Sequence, residues 1–184
     1  WPKPAIDRAH DRLAGAARIA FLVAHYTGQR KGDVLTMRWD AIEDGGVHVK
    51  QQKTGKRVWV PIHPVLADEI AAIERKGMTI VARRDGKPYT ISGFNAVWRR
   101  QQKKHGFTGL QFHGLRRNAV NALLEAGCEV PEVAAVTGQS FEMVQHYAQE
   151  VNQKAMARTA MNKWQTNIGK PSGKLSVVGG GDDG

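Results

Sequence analysis

His113-Gly114-Leu115-Arg116-Arg117 opens the most specific segment of this 184-residue chain. Residues 115–125 read as a helix, and a helix begun there brings residues 113 and 116 together on one side of its first turn. That turn also carries unpaired N–H groups and the positive end of the peptide dipoles, so an anion is favoured beside it. A histidine and an arginine at this place suit a phosphate, although the same spacing arises where neither does chemistry. Arg117 reads as a nucleic-acid backbone contact or a plain surface residue.

Upstream, Leu13, Ala17, Ala20 and Val23 fall at helical spacing before Thr27-Gly28, which predicts one buried helix over 7–24. Arg30, in Thr27-Gly28-Gln29-Arg30-Lys31-Gly32-Asp33, then lies just past a helix end. Asp33 is a good N-cap type for a short helix over 33–39. Residues 46–62 alternate, with Val47, Val49 and Gln51 before Thr54-Gly55-Lys56 and Val58, Val60 and Ile62 after it. That pattern predicts a hairpin whose turn carries lysines. Helices are also predicted over 67–76, 91–104, 130–137, 141–147 and 152–164, with a third strand over 78–82 and breaks at Gly127 and Gly138. The fold class is mainly α with a small antiparallel β-sheet.

A hydrophobic content of 41% supports one core, and a formal net charge of +10 favours a polyanionic partner. No apolar run approaches the ~18 residues of a membrane-spanning helix, and no signal-peptide pattern opens the chain. The single Cys128 excludes an internal disulfide framework and suits a reducing cytoplasm. The seven histidines lack the close Cys or His partners of a zinc site, so neither a metal nor another cofactor is expected. Trp1-Pro2-Lys3-Pro4 reads as an extended linker remnant, with the chain cut from something longer. Residues 169–184, rich in Gly with Ser, Pro and Asp, read as a flexible tail, which leaves 5–168 as the folded domain.

Each remaining candidate has two readings. Arg30 either caps the carbonyls of the preceding helix or offers a planar, permanently charged fork to two phosphate oxygens. Asp33 combines an N-cap with a partner that orients Arg30. Lys53, beside Lys50, Lys56 and Arg57, either belongs to a solvated turn that touches phosphate nonspecifically or does chemistry. Tyr147, in Met143-Val144-Gln145-His146-Tyr147-Ala148, is either a core anchor or a nucleophile. His25, His63 and His146 are assigned to structure or surface.

In their order along the chain these segments resemble the tyrosine recombinase (phage integrase) family, over residues 5 to about 165. The resemblance implies the catalytic-domain fold of DNA breaking and rejoining enzymes. It implies that Arg30, Lys53, His113, Arg116, Gln139 and Tyr147 are catalytic, with Lys53 as general acid and Tyr147 as nucleophile. Asp33 would support them, and Lys56, Arg57 and Arg117 would contact DNA. Val136-Thr137-Gly138-Gln139-Ser140 matches the family's Gly-His segment, with Gln139 in place of the usual His or Trp and eight residues, not nine, before Tyr147.

The implied activity is site-specific recombination of double-stranded DNA for a phage or mobile element, through a 3′-phosphotyrosine and without metal or ATP. A tetramer on paired DNA sites, joined through the helix over 152–164, and a place in the bacterial cytoplasm at the nucleoid go with it. A type IB topoisomerase-like enzyme, or a DNA-binding module that has lost cleavage, are the alternatives.

Overall fold

The computed structural model describes residues 1–168. In chain order they form α1 (Lys3–Arg12), α2 (Gly15–Thr27), α3 (Lys31–Thr36), β1 (Ile42–Glu43), β2 (Gly46–Lys50), β3 (Arg57–Pro61), α4 (Pro64–Ala71), α5 (Ile91–His105), α6 (Gly114–Glu125), α7 (Val130–Thr137) and α8 (Phe141–Ile168). The fold is mainly helical with one small antiparallel sheet in the order β1-β2-β3.

The centre is α2. Its Ala17, Ala20, Phe21, Leu22, Val23 and Ala24 are all fully buried, so its middle turn is apolar on every side, as in a helix surrounded by others. It touches α1, α3, α4, α5 and α6. The sheet adds Val47, Val49, Val58 and Val60 to the same core, and α5 adds Phe94 and Trp98. A smaller cluster of Val120, Val133, Ala134 and Val144 joins α6, α7 and α8.

The hairpin over 46–62 forms, with Gly46 opposite Pro61 and Lys50 opposite Arg57. Its alternating valines face the core. The helices over 91–104, 115–125 and 130–137 are present within a residue of their expected ends.

Other expectations require correction. The helix over 7–24 is two helices, because Leu13 and Ala14 are extended (ψ 146° and 159°). Arg18 fixes the bend by donating to the His10 carbonyl at the end of α1 and pairing with Glu69 on α4. Periodicity misses the break since Leu13 and Ala17 stay on one face of either arrangement. Residues 1–4 are not an extended linker beyond Pro2: Lys3 starts α1, and Pro4 lies in its first turn, where a missing N–H costs nothing. The Trp1 ring packs against Phe21, Trp98 and Phe107, with centroids 5.5–6.1 Å away.

The helix expected over 33–39 spans Lys31–Thr36 instead, and Arg30 occupies its N-cap position. Asp33 is not a cap, because its Oδ1 accepts from the Gln52 N–H in the hairpin turn at 2.8 Å. The strand expected over 78–82 shrinks to a single antiparallel bridge, Thr79 opposite Arg38, closed by the Trp39 N–H on the Met78 carbonyl and the Ile80 N–H on the Met37 carbonyl. The third strand is Ile42–Glu43. The helix expected over 67–76 starts at Pro64, with the His63 ring accepting from the Val65 N–H. The helices over 141–147 and 152–164 are one, since residues 148–151 hold no helix breaker. The expected tail over 169–184 lies outside the described residues.

Candidate active site

Helix α2 ends at Gly28, whose φ of +64° is the left-handed conformation that glycine adopts freely. A Cβ there would also meet Thr137 Cγ2 at 2.9 Å. The turn that follows sets Arg30 at the head of α3. Beneath it, α6 packs on α2 through Leu115 and Ala119 and delivers Arg116, which is only 4% exposed. Its Nη1 donates to the Gly28 carbonyl at 2.6 Å, and its Nη2 is buried with no partner.

Burial first, then the charge of Arg30, push the Arg116 pKa down to about 10, while Asp33 and Tyr147 act in the opposite direction. Arg116 still keeps its proton at neutral pH. Two arginines close enough to repel, one of them buried with a free donor, would be relieved by an anion between them.

The hairpin reaches this point through Gln51. Its side chain is fully buried, and its Oε1 accepts from Arg30 Nη1 at 3.0 Å and from Thr54 Oγ1 at 3.1 Å. Its Nε2 donates to the Thr137 carbonyl at 2.9 Å and to Gln29 Oε1 at 2.7 Å. Gln29 is buried too and donates to the carbonyls of Thr27 and Val136. Neither glutamine was picked out from the sequence as a site residue. A signal exists for Gln51: it continues the inward series Val47, Val49, and a polar residue at an inward position needs partners there. Lys53 lies in the turn just beyond, exposed, with Lys56 and Arg57 exposed on the same hairpin.

His113 occupies the position before α6. Partial desolvation, followed by the charges of Arg116, Arg30 and Lys53, lowers its pKa from the ordinary histidine value, so the ring is neutral at pH 7. Gln139 follows α7 and its left-handed cap Gly138, and its Nε2 is buried without a partner. Tyr147 lies on α8, half-buried against the small cluster of α6 and α7. The Arg117 guanidinium lies 5.2 Å from the Tyr147 ring centre and is paired with Glu150 on α8.

The structure therefore places Arg30, Asp33 and Tyr147 within electrostatic reach of Arg116, and Arg116, Arg30 and Lys53 within reach of His113, while Gln139 adjoins them through Thr137. Among the described residues six buried side-chain polar atoms lack a partner, and Asp33 Oδ2, Arg116 Nη2 and Gln139 Nε2 are three of them. Unsatisfied groups are rare in native interiors, so their concentration here marks a place built to receive something polar. A cleft of about 510 Å³, lined in part by Arg30, Lys31, Asn95, Arg99, Gln111 and His113, opens beside it.

The Phage integrase family matches residues 5–154. The chain is 29% identical to the shufflon-specific DNA recombinase of Escherichia coli over 133 residues, 70% of this chain and 33% of that protein. It is 32% identical to the integrase of Escherichia phage lambda over 108 residues, 53% of this chain and 29% of that one. The chain thus spans about a third of the length of these curated relatives. The crystal structure of a lambda integrase dimer (residues 75–356) bound to a COC′ core site aligns with a TM-score of 0.64 at 26% identity, over 78% of this chain and 55% of that one. XerA recombinase shares the fold, with a TM-score of 0.71 at 14% identity over 86% of this chain and 62% of that one. With most of its length matched, this chain belongs to the phage integrase family, the tyrosine recombinases.

Proposed function

We propose that this chain is the catalytic domain, over residues 5–168, of a site-specific recombinase or integrase of a phage or other mobile element. The observation that carries this reading is the buried Arg116 with one unpaired arm, held in repulsive range of Arg30 and near Tyr147. Such an arrangement is costly unless it receives an anion, and a phosphodiester is the anion that a net charge of +10 attracts.

In the proposed step, Tyr147 Oη attacks the phosphorus of a DNA strand, an O–P bond forms and the bond to O5′ breaks. The phenol releases its proton to solvent as it attacks, and Lys53 gives one to the departing O5′ and regains one from solvent, so the proton count is unchanged. Arg30 and Arg116 stabilise the charge that grows on the nonbridging oxygens. Neutral His113 and the Gln139 amide add hydrogen-bond donors. The product is a 3′-phosphotyrosine and a free 5′-hydroxyl. A 5′-hydroxyl from a partner strand reverses the step, and since the ester keeps the bond energy no ATP is consumed.

Lys56 and Arg57 contact the DNA backbone in this scheme, with Arg117 joining them on exchanging Glu150 for phosphate. Self-association on paired sites uses α8, where Met156, Met161 and Trp164 are exposed. A DNA substrate places the protein in the bacterial cytoplasm, at the nucleoid.

The test is a nicked suicide substrate run on a denaturing gel. Wild type yields a covalent protein–DNA adduct, and Tyr147→Phe, which removes one oxygen, yields none while still binding DNA. An adduct of normal yield from Tyr147→Phe excludes it as nucleophile. Absence of an adduct from wild type that binds the duplex favours the noncatalytic module.

A further inference from the structure

Four hydrogen bonds converge on the side-chain amide of Gln51, and they come from three separate parts of the site. Arg30 heads α3, Thr54 lies one residue past Lys53 in the hairpin turn, and Thr137 ends α7 two residues before Gln139. The fourth partner, Gln29, is in the turn that leads to Arg30. We infer that Gln51 is a positioning residue for strand cleavage, locking Arg30, the Lys53 turn and the turn before Gln139 into one arrangement.

Only an amide fits. Its oxygen accepts twice and its nitrogen donates twice in one plane, and here every one of those capacities is used. A carboxylate at this place would turn both donors into acceptors facing the Thr137 carbonyl and Gln29 Oε1. A thioether or alkyl chain would leave Arg30, Thr137 and Gln29 with buried groups unpaired. The fit is also tight from the other side, since a Cβ on Gly138 would lie 2.3 Å from Gln51 Nε2. A fully satisfied buried network rigidifies what it connects.

Engaging Arg30 Nη1 from below also orients the guanidinium, whose remaining N–H groups stay free for phosphate. The Thr54 bond does the same for the lysine turn, since Lys53 itself is exposed. Gln51 touches neither the DNA nor the reacting atoms, and its effect passes through the residues it holds.

This inference rests on the recombinase reading, and the experiment separates the two. Cleavage by this chain is timed on nicked suicide duplexes with an ordinary scissile phosphate or with sulfur replacing the bridging 5′ oxygen, whose thiolate departs without a general acid. Thr54→Val removes only the bond between the Gln51 side chain and the lysine turn, leaving the Gln51 backbone bonds to Gly55 and Lys56 in place. It should slow ordinary cleavage about tenfold or more, since small displacements of catalytic groups carry such costs, and return to the wild-type rate on the sulfur substrate. Gln51→Met should slow cleavage about a hundredfold on ordinary DNA and recover only in part with sulfur, because Arg30 loses its seat as well.

Loss of stability alone would lower both rates equally, so the recovery is specific to positioning. If Gln51→Met does not fold, Thr54→Val decides. A Thr54→Val variant that cleaves ordinary DNA like wild type, or that sulfur fails to restore, overturns the role of Gln51 while wild-type adduct formation upholds the recombinase reading. A wild-type chain that binds DNA and forms no adduct overturns both.

Discussion

Arg116 Nη1 donates to the carbonyl oxygen of Gly28 at 2.6 Å, across 88 residues of sequence, while the other arm of the same guanidinium is buried with no partner. One arm is an anchor to the turn that carries Arg30, and the other is a free donor. A lysine does not reproduce this geometry, since its three donors radiate from one nitrogen at the end of a flexible stem and form no rigid fork. Arg116→Ala and Arg116→Lys should each slow adduct formation by about 10²–10³, the range seen when one preorganised donor to developing charge is removed. Stability should change little in Arg116→Ala, because relief of burying an incompletely paired charge offsets the lost bond to Gly28. Single-turnover cleavage and urea unfolding of both variants check this. A Lys variant at the wild-type rate would show that charge alone suffices there.

His25 supplies a pH dependence remote from the chemistry. Its ring stacks on Phe21, its Nδ1 is buried without a partner, and His10 and His63 lie near it. Burial first, then those neighbours and the N-terminal charge, lower its pKa from 6.5 to about 4. The unfolded chain therefore takes up the proton first, and stability falls as pH drops from 6.5 to about 4. At about 1.4 kcal/mol per unit the loss from this group is on the order of 3 kcal/mol. Urea unfolding across that interval should show the slope in wild type and a much shallower one in His25→Phe. An unchanged slope would assign the effect to other groups, His10 first among them, since its pKa is lowered as well.

The candidate site residues were more legible in the sequence than the supports beneath them. Arg30, Lys53, His113, Arg116 and Tyr147 stand out because each is a chemically distinctive type in a short context, and the fold gathers them. Gln29 and Gln51 do not stand out, because an amide becomes a hub only when three chain segments far apart in sequence close around it. The hairpin was readable from its alternation. The split between α1 and α2 was not, since a bend that keeps Leu13 and Ala17 on the core leaves the apolar spacing intact. The strand over 78–82 has the same character: its pairing stops at one antiparallel bridge between Thr79 and Arg38, a tertiary limit that local propensity does not encode.

Two glycines separate backbone strain from disturbance of the site. Gly106 and Gly138 both end helices in the left-handed conformation, with φ of +72° and +67°. A Cβ on Gly106 meets nothing within 4 Å, whereas one on Gly138 meets Gln51. Gly106→Ala and Gly138→Ala should both lose roughly 1–2 kcal/mol of stability from the backbone alone. Only Gly138→Ala should also lose cleavage, by displacing the amide that holds Arg30. Equal cleavage by the two variants, measured where both are folded, would detach Gly138 from the site.

The assignment of the general acid turns on Lys53 and its nearest rival in the hairpin, Lys56. Both are exposed, so burial does not choose between them. Position does: the Lys53 charge depresses the His113 pKa, and Lys53 precedes Thr54, which bonds to Gln51. An acid is required when the leaving group is an alkoxide and dispensable when it is a thiolate. Lys53→Ala should cleave ordinary DNA slowly, by about 10²–10⁴, the usual worth of general acid catalysis, and recover when sulfur replaces the bridging 5′ oxygen. Arg116→Ala should not recover to the same degree, because its work is on the nonbridging oxygens. Lys56→Ala should bind DNA more weakly at raised salt and cleave at nearly the wild-type rate once bound. Recovery of Lys56→Ala and not of Lys53→Ala would move the acid three residues along. Recovery of neither would leave both lysines as backbone contacts and pass the role to His113 in its protonated form, with cleavage then rising as pH falls.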